Sequence, residues 1–430
     1  MFLKTNFDKG YDLLTGPYKH LAPNKKLVDG LLTQAVRLAD LLKVAFNTPS
    51  GVPDNELIFR PYPHVKGEPF NGLATVGTLV LEWARLSDLT GNPVYGNLAR
   101  RAEEYLLKPS PPESEPFPGM VGSRVSIENG TFGDSVGSWA GGTDSFYEYL
   151  IKMYVYDPDR YGFYKERWVA AVESSMTYLV SHPTTRPDLT FLAMYSGNET
   201  YFYSGHRRFP SPPPVSWAGG LPRGIANMGP AKVACFNGGN FILGGLVLSE
   251  PRYTDFGLEL IKSCRETYLQ TSTGLGPELF QWQDNATSPD AWNNGGPPPD
   301  QLEFYERAGF WIANGQYVLR PEVIESYYYA YRATGDEMYR DWAWEAFDAI
   351  DKTCSIGGGF SSVANVEPVN GTVEYYDFQE SFWFAEVMKY IFMIMDDGDG
   401  DVHVQKDGRN KFVFNTEAHP VAVSGFGADR

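Results

Sequence analysis

The C-terminal octapeptide VFNTEAHP (413–420) sets a threonine, a carboxylate and a histidine in one strand-like run. Thr416 offers two hard oxygens, its hydroxyl and its carbonyl, and neighbouring carboxylates can order waters around a Ca²⁺. Alone, such a segment reads better as a C-terminal strand with a capping threonine. Here it ends a series of carboxylates placed on apolar faces. Glu82 shares a helix face with Leu79, Leu86 and Leu89, where an unpaired carboxylate is costly and an i,i+3 partnership with Arg85 would relieve it. In GGTDSFYEYL (141–150), Asp144 and Glu148 stand four apart among aromatic residues; in RPEVIES (320–326), Glu322 and Glu325 stand three apart behind Arg320. Glu278 closes TGLGPE (273–278), and Glu380 and Glu386 flank Phe382 in QESFWFAEVMKY (379–390). One like-charged pair is usually a solvated face, whereas several pairs flanked by aromatics point to a shared polar cavity. Such a cavity suits sugar chemistry, one carboxylate protonating a leaving oxygen while another activates water. Aromatic rings pack on sugar faces, and Arg320 can bond hydroxyls. Other chemistries are less well supported: the six histidines are scattered without zinc spacing, and no phosphate-cradling glycine loop is present.

The elements that must position these groups are helices. Periodicity predicts helices over 75–89, 324–334, 341–351 and 381–395. A recurring join, TGNPVY (90–95), DPDRY (157–161), SEPRY (249–253) and TGDEMY (334–339), ends one amphipathic helix and opens the next. Repeated helix–turn–helix units cannot bury their apolar faces alone, so they stack or close into a ring. An all-α toroid is expected, with an open solenoid as the alternative. The proline-rich stretches 109–118 and 209–214 read as surface excursions within a single domain spanning 1–430.

A chain of 430 residues, 43% hydrophobic and 15% aromatic, can bury a large core. Its net charge of −17 argues against nucleic acid or an anionic membrane as partner. It contains no apolar run long enough to span a bilayer. Four N-glycosylation acceptors, at Asn129, Asn198, Asn285 and Asn370, suggest secretory passage. The N-terminus MFLKTNFDKGYDLL has no signal-peptide pattern.

These segments together resemble the class I α-mannosidases, glycoside hydrolase family 47. The matching stretches run in order from AFNTPSGVP (45–53) and GTLVLEWARLSDLTG (77–91) through ACFNGGNFILGG (234–245) and LRPEVIESYYYAYRATGD (319–336) to ESFWFAEVMKY (380–390) and VFNTEAHP. The resemblance implies an (α/α)₇ barrel plugged by a C-terminal β-hairpin, and calcium-dependent, inverting hydrolysis of terminal α-1,2-linked mannose from high-mannose N-glycans. It implies catalytic roles for Asp144, Glu278 and Glu322, with Glu322 favoured as the base. Substrate would be met by Arg320, Phe382, Glu325 and Glu82. Thr416 would bind Ca²⁺ directly, with Glu82, Glu148, Glu325, Glu386 and Glu417 acting through water. Cys235 and Cys264 match a family disulfide, leaving Cys354 as a free core thiol. A monomer of the secretory pathway is expected.

Three departures accompany the resemblance. Lys232 stands where members often carry histidine, and Gly142 stands where enzymes of the endoplasmic reticulum carry arginine, which resembles the broader-specificity Golgi and secreted fungal members. Family domains also begin well before the point matching Met1. The first barrel helices and a glutamate acting as general acid are therefore expected to be absent, and none of Asp8, Asp12 or Glu56 falls in the right context to replace it. The alternative function is a catalytically inactive, mannosidase-like lectin that binds high-mannose glycans in glycoprotein quality control.

Overall fold

The computed structural model describes residues 7–22, 24–197, 199–201, 206–208, 232–285, 296–398 and 400–426. Its helices pack largely in sequential pairs. Helix α1 (Phe7–Thr15) lies on α2 (Lys25–Leu42); after the short α3 (Leu73–Gly77), α4 (Val80–Thr90) lies on α5 (Val94–Leu107). Then α6 (Asp144–Tyr156) pairs with α7 (Gly162–Ser174) and α8 (Asn237–Leu248) with α9 (Pro251–Leu269). After the short α10 (Leu302–Ala308), α11 (Glu322–Thr334) packs on α12 (Met338–Cys354) and on α13 (Met388–Met395). Helices α4, α6, α8, α11 and α13 also pack on one another in that order, making an inner layer backed by their partners. This is the α/α toroid anticipated from the repeated joins.

The joins turn inner helices into outer ones. Gly91 and Gly335 end α4 and α11 at φ +67° and +74°, the left-handed conformation that costs glycine least. The inner α8 is buried from Asn237 through Gly245. At Gly244 a Cβ would come within 2.0 Å of the Trp168 ring, so the glycine there permits close approach of α7. The expected helix over 75–89 is interrupted at Thr78, whose backbone leaves the helical region at φ −107°, ψ 15° while its hydroxyl donates to Ala74. The expected helix over 381–395 begins as a π-helical turn, Trp383–Val387, before α13. The stretch 109–118 is not simply a surface excursion: Phe117 is buried and stacks on Tyr178. Residues 209–214 lie outside the described residues.

A C-terminal hairpin pairs Phe412–Phe414 with Pro420–Ala422, antiparallel and in register Val413↔Val421. All six of these residues are buried, against α6 on one side and α1 on the other. Phe414 meets Tyr328 and Tyr390 edge-on, tying the hairpin to α11 and α13. The hairpin therefore plugs the toroid. A disulfide joins Cys235 to Cys264 on α9, and Cys354 is buried and takes no part in it. Asn129, Asn285 and Asn370 are exposed; Asn198 lies outside the described residues. Among the described residues no helix is long and apolar enough to cross a membrane.

Candidate active site

The hairpin turn hangs over the buried end of α4. Glu82 is 3% exposed and does not pair with Arg85, which forms a two-pronged ion pair with Asp12 of α1 at 2.6 and 2.8 Å. The Glu82 Oε1 instead accepts from the Tyr149 hydroxyl at 3.0 Å and from Asn415 Nδ2 at 2.8 Å. Its Oε2 is buried with no hydrogen-bond partner among the described residues. Thr416 donates its backbone N–H to Tyr149 Oη at 3.3 Å. The turn also places Glu417 beside Lys389, which donates to the Ala418 carbonyl and to His419 Nδ1. Burial lowers Lys389 to about 8 against the opposing pull of Glu386 and Glu417.

Helix α6 carries the next pair. Asp144 is its first residue, half-buried, and Glu148 lies one turn on, buried and salt-bridged to Lys152. Burial raises the Asp144 carboxyl to about 7, and the nearby charges of Glu148 and Glu322 push in the same direction. On α11, Glu325 accepts from the Tyr390 hydroxyl at 3.0 Å. Burial, helped by Glu148, raises Glu325 to about 8, while Lys152 and the Tyr390 bond oppose the shift. Carboxylates on α6 and α11 thus feel one another across the interior.

The third group faces solvent more openly. Glu278 precedes the strand Leu279–Gln281, its N–H held by the Gln316 carbonyl at 2.7 Å. Its carboxylate takes Arg320 through Nη2 at 2.5 Å and Nε at 3.2 Å. Arg320 also reaches Glu322 at 3.8 Å and lies 5.5 Å from the centre of the Phe382 ring. Burial works against the guanidinium charge, and Glu322, Glu278 and Glu380 hold it on. Pro321 caps α11, so Glu322 opens the helix two residues before the periodicity suggested. The side chains of Glu278, Arg320 and Glu322 keep 14%, 24% and 12% of their surface, as the wall of a polar pocket would.

The residues singled out from sequence therefore converge. Asp144, Glu148, Glu322 and Glu325 are electrostatically linked; Glu278, Arg320 and Phe382 adjoin Glu322; Glu82, Thr416, Glu386 and Glu417 gather around the hairpin turn. Asn415, Tyr149, Lys152, Lys389 and Tyr390, which hold these carboxylates, were not singled out. The NTEAHP run and the DSFYEYLIK face offered the only sequence signals for the first three of these. Gly142 takes φ +95° and is exposed, two residues before Asp144. The Lys232 side chain lies outside the described residues.

The donor set fits a calcium ion. The Thr416 hydroxyl and carbonyl make no hydrogen bond among the described residues, and one oxygen of Glu82 is buried without a partner. Hard oxygens and several carboxylates are the ligands calcium prefers. Among the described residues no three histidine, cysteine or acidic side chains are close enough to clasp a metal directly.

Comparison with known proteins agrees with this geometry. The mannosyl-oligosaccharide alpha-1,2-mannosidase of Penicillium citrinum is 52% identical over 415 residues, 96% of this chain and 74% of the relative. Its counterpart 1B from Aspergillus phoenicis is 50% identical over 415 residues, 96% of this chain and 73% of the relative. The structure of the alpha-1,2-mannosidase from Trichoderma reesei superposes with a TM-score of 0.87 at 48% identity, covering 98% of this chain and 80% of that one. The fold is accordingly the (α/α)₇ barrel. These matches do not bear out the expectation of absent first barrel helices. The family model for glycosyl hydrolase family 47 matches residues 10–423, and the chain belongs to that family.

Proposed function

We propose that this chain removes terminal α-1,2-linked mannose from high-mannose N-glycans by calcium-dependent hydrolysis with inversion at the anomeric carbon. The observation that supports this reading is the linkage of the three carboxylates: the charge of Glu322 acts on Asp144, and Arg320 bonds Glu278, reaches Glu322 and lies beside Phe382. Glu322 would take a proton from a water as that oxygen bonds to the anomeric carbon. The glycosidic bond breaks with its electron pair going to the leaving oxygen, which takes a proton from Asp144. Asp144 suits that role because its carboxyl, raised to about 7, is still substantially protonated near neutral pH. Glu278 is held by Arg320 and would orient a sugar hydroxyl or relay a proton, while Phe382 packs on the ring. When bound by Thr416, with waters on Glu82, Glu148, Glu325, Glu386 and Glu417, calcium would supply a fixed positive centre for sugar hydroxyls.

The exposed glycine at position 142 favours the broader branch specificity of Golgi and secreted members over that of the endoplasmic-reticulum enzymes. The disulfide and the exposed sequons support a place in the secretory pathway, where a monomer would act on glycoproteins. The test is incubation with a Man₉ glycan, with and without EDTA, following hexose loss by mass spectrometry. Release that stops with EDTA is expected, and Glu322→Gln should abolish release while leaving glycan binding intact. Glycan binding by the unmodified chain without any hexose loss would instead favour the lectin reading.

A further inference from the structure

Resting on the calcium reading above, we propose that Asn415 is the positioning residue of the metal centre, locking the Thr416 turn and the Glu82 carboxylate into one unit. Asn415 is fully buried. Its Oδ1 accepts from the backbone N–H groups of Glu417 at 3.0 Å and His419 at 2.8 Å. Two such donors must meet the amide oxygen, so the amide nitrogen is committed to the opposite side. There Nδ2 donates to Glu82 Oε1 at 2.8 Å.

The main chain of Asn415 closes the same turn. Its N–H donates to the His419 carbonyl at 2.9 Å, and its carbonyl accepts from Ala418 at 3.0 Å. Lys152, the partner of Glu148, donates to that carbonyl at 3.5 Å. One residue later, Thr416 donates to Tyr149 Oη, which in turn donates to the same Glu82 oxygen. Asn415, Glu82, Tyr149 and Thr416 thereby form a closed ring drawn from α4, α6 and the hairpin. Two hydrogen bonds and the Lys9 ammonium at 4.0 Å hold Oε1, and the Oε2 that makes no hydrogen bond is left for a water. A calcium site needs donors held in place before the ion arrives, and partners that orient metal-binding groups typically matter 10–100-fold in affinity.

Asparagine is the side chain this ring requires. Aspartate would keep both acceptor bonds to the turn but would lose the donor and set a second anion against Glu82. Asn415→Asp therefore separates capping the turn from orienting Glu82. The experiment is calorimetric titration of Ca²⁺ into the EDTA-stripped full chain, wild type and Asn415→Asp, alongside thermal unfolding of both calcium-free forms. Binding about 10–100-fold weaker is expected for Asn415→Asp, with the calcium-free melting point within about 4 °C of wild type. Unchanged or tighter binding by Asn415→Asp would overturn the proposal, because a turn cap alone survives that change. If the variant does not fold, Tyr149→Phe opens the same ring without touching the turn's own bonds. Weaker Ca²⁺ binding there is expected, and unchanged binding overturns the proposal. A wild-type chain that binds no Ca²⁺ overturns the calcium reading itself, and this role falls with it.

Discussion

At the residue scale the site is governed by what burial does to carboxylates. Asp144 and Glu325 are both pushed up by burial, to about 7 and about 8, yet their surroundings differ. Asp144 is half-buried and feels the charge of Glu322; Glu325 is buried and accepts from the Tyr390 hydroxyl. Asp144 must be protonated to serve as the acid, so activity should be present below its pKa and fall as pH rises through about 7. A rate–pH profile on a high-mannose glycan should show that alkaline limb. Asp144→Asn should lose about 10²–10⁴-fold in rate and, at its residual level, lose the limb. An unchanged limb in the variant would assign it to another group. Much of the pocket was legible in sequence because the carboxylates sit at helix starts beside aromatic residues, as in GGTDSFYEYL and RPEVIES. The partner of Glu82 was not, since the neighbouring Arg85 is taken by Asp12, 73 residues upstream. Sequence spacing shows that a buried carboxylate needs a partner; only the tertiary arrangement shows which one.

At the element scale, the inner-to-outer turns were legible because glycine, proline and a following tyrosine mark where a helix must stop and restart. The break at Thr78 was not, because the apolar periodicity runs on through it. Helix α5 carries a feature no pattern flagged. Glu103 is 1% exposed, and neither of its oxygens has a hydrogen-bond partner among the described residues. The nearby Tyr164 hydroxyl on α7 is also buried and unpartnered. Burial holds the Glu103 carboxyl well above the usual carboxylate range, and its charge in turn raises the Tyr164 phenol, itself pushed up first by burial. A carboxyl raised on folding contributes stability that is fully present below its unfolded pKa, about 4.5. That stability is lost as pH rises through the folded value. Glu103→Gln keeps the shape and removes the titration. Denaturant unfolding should show the variant more stable than wild type by about 1–3 kcal/mol at pH 7.5, with the gap closing towards pH 4.5. A gap that does not depend on pH would mean that Glu103 folds with its charge already satisfied.

At the scale of the whole molecule, the acidic interior and the plug are one problem. Glu82 on α4, Glu148 on α6, Glu325 on α11 and Glu386 on the turn before α13 face a common interior, and the hairpin closes over them. Like charges gathered in a poorly solvated space repel, and proton uptake, as at Asp144 and Glu325, relieves only part of that. Lys152 and Lys389 relieve more, each bridging a carboxylate-bearing helix to the hairpin, and Lys9 of α1 faces Glu82 at 4.0 Å. A bound calcium would relieve the rest. In doing so it would join a turn near residue 416 to helices that begin as early as residue 80. The site would exist only in the folded chain, so binding should stabilise it by mass action, about 2.7 kcal/mol at a free concentration one hundred times the dissociation constant. Calorimetric melting should then show a transition that falls by roughly 3 °C or more with excess EDTA and returns when Ca²⁺, but not Mg²⁺, is restored. Magnesium demands compact octahedral geometry and keeps its own waters, whereas the proposed water-held ligation by carboxylates from five separate elements would suit the larger, more adaptable ion. A melting point indifferent to EDTA would mean that Lys9, Lys152, Lys389 and the raised carboxyls already neutralise the interior without a metal.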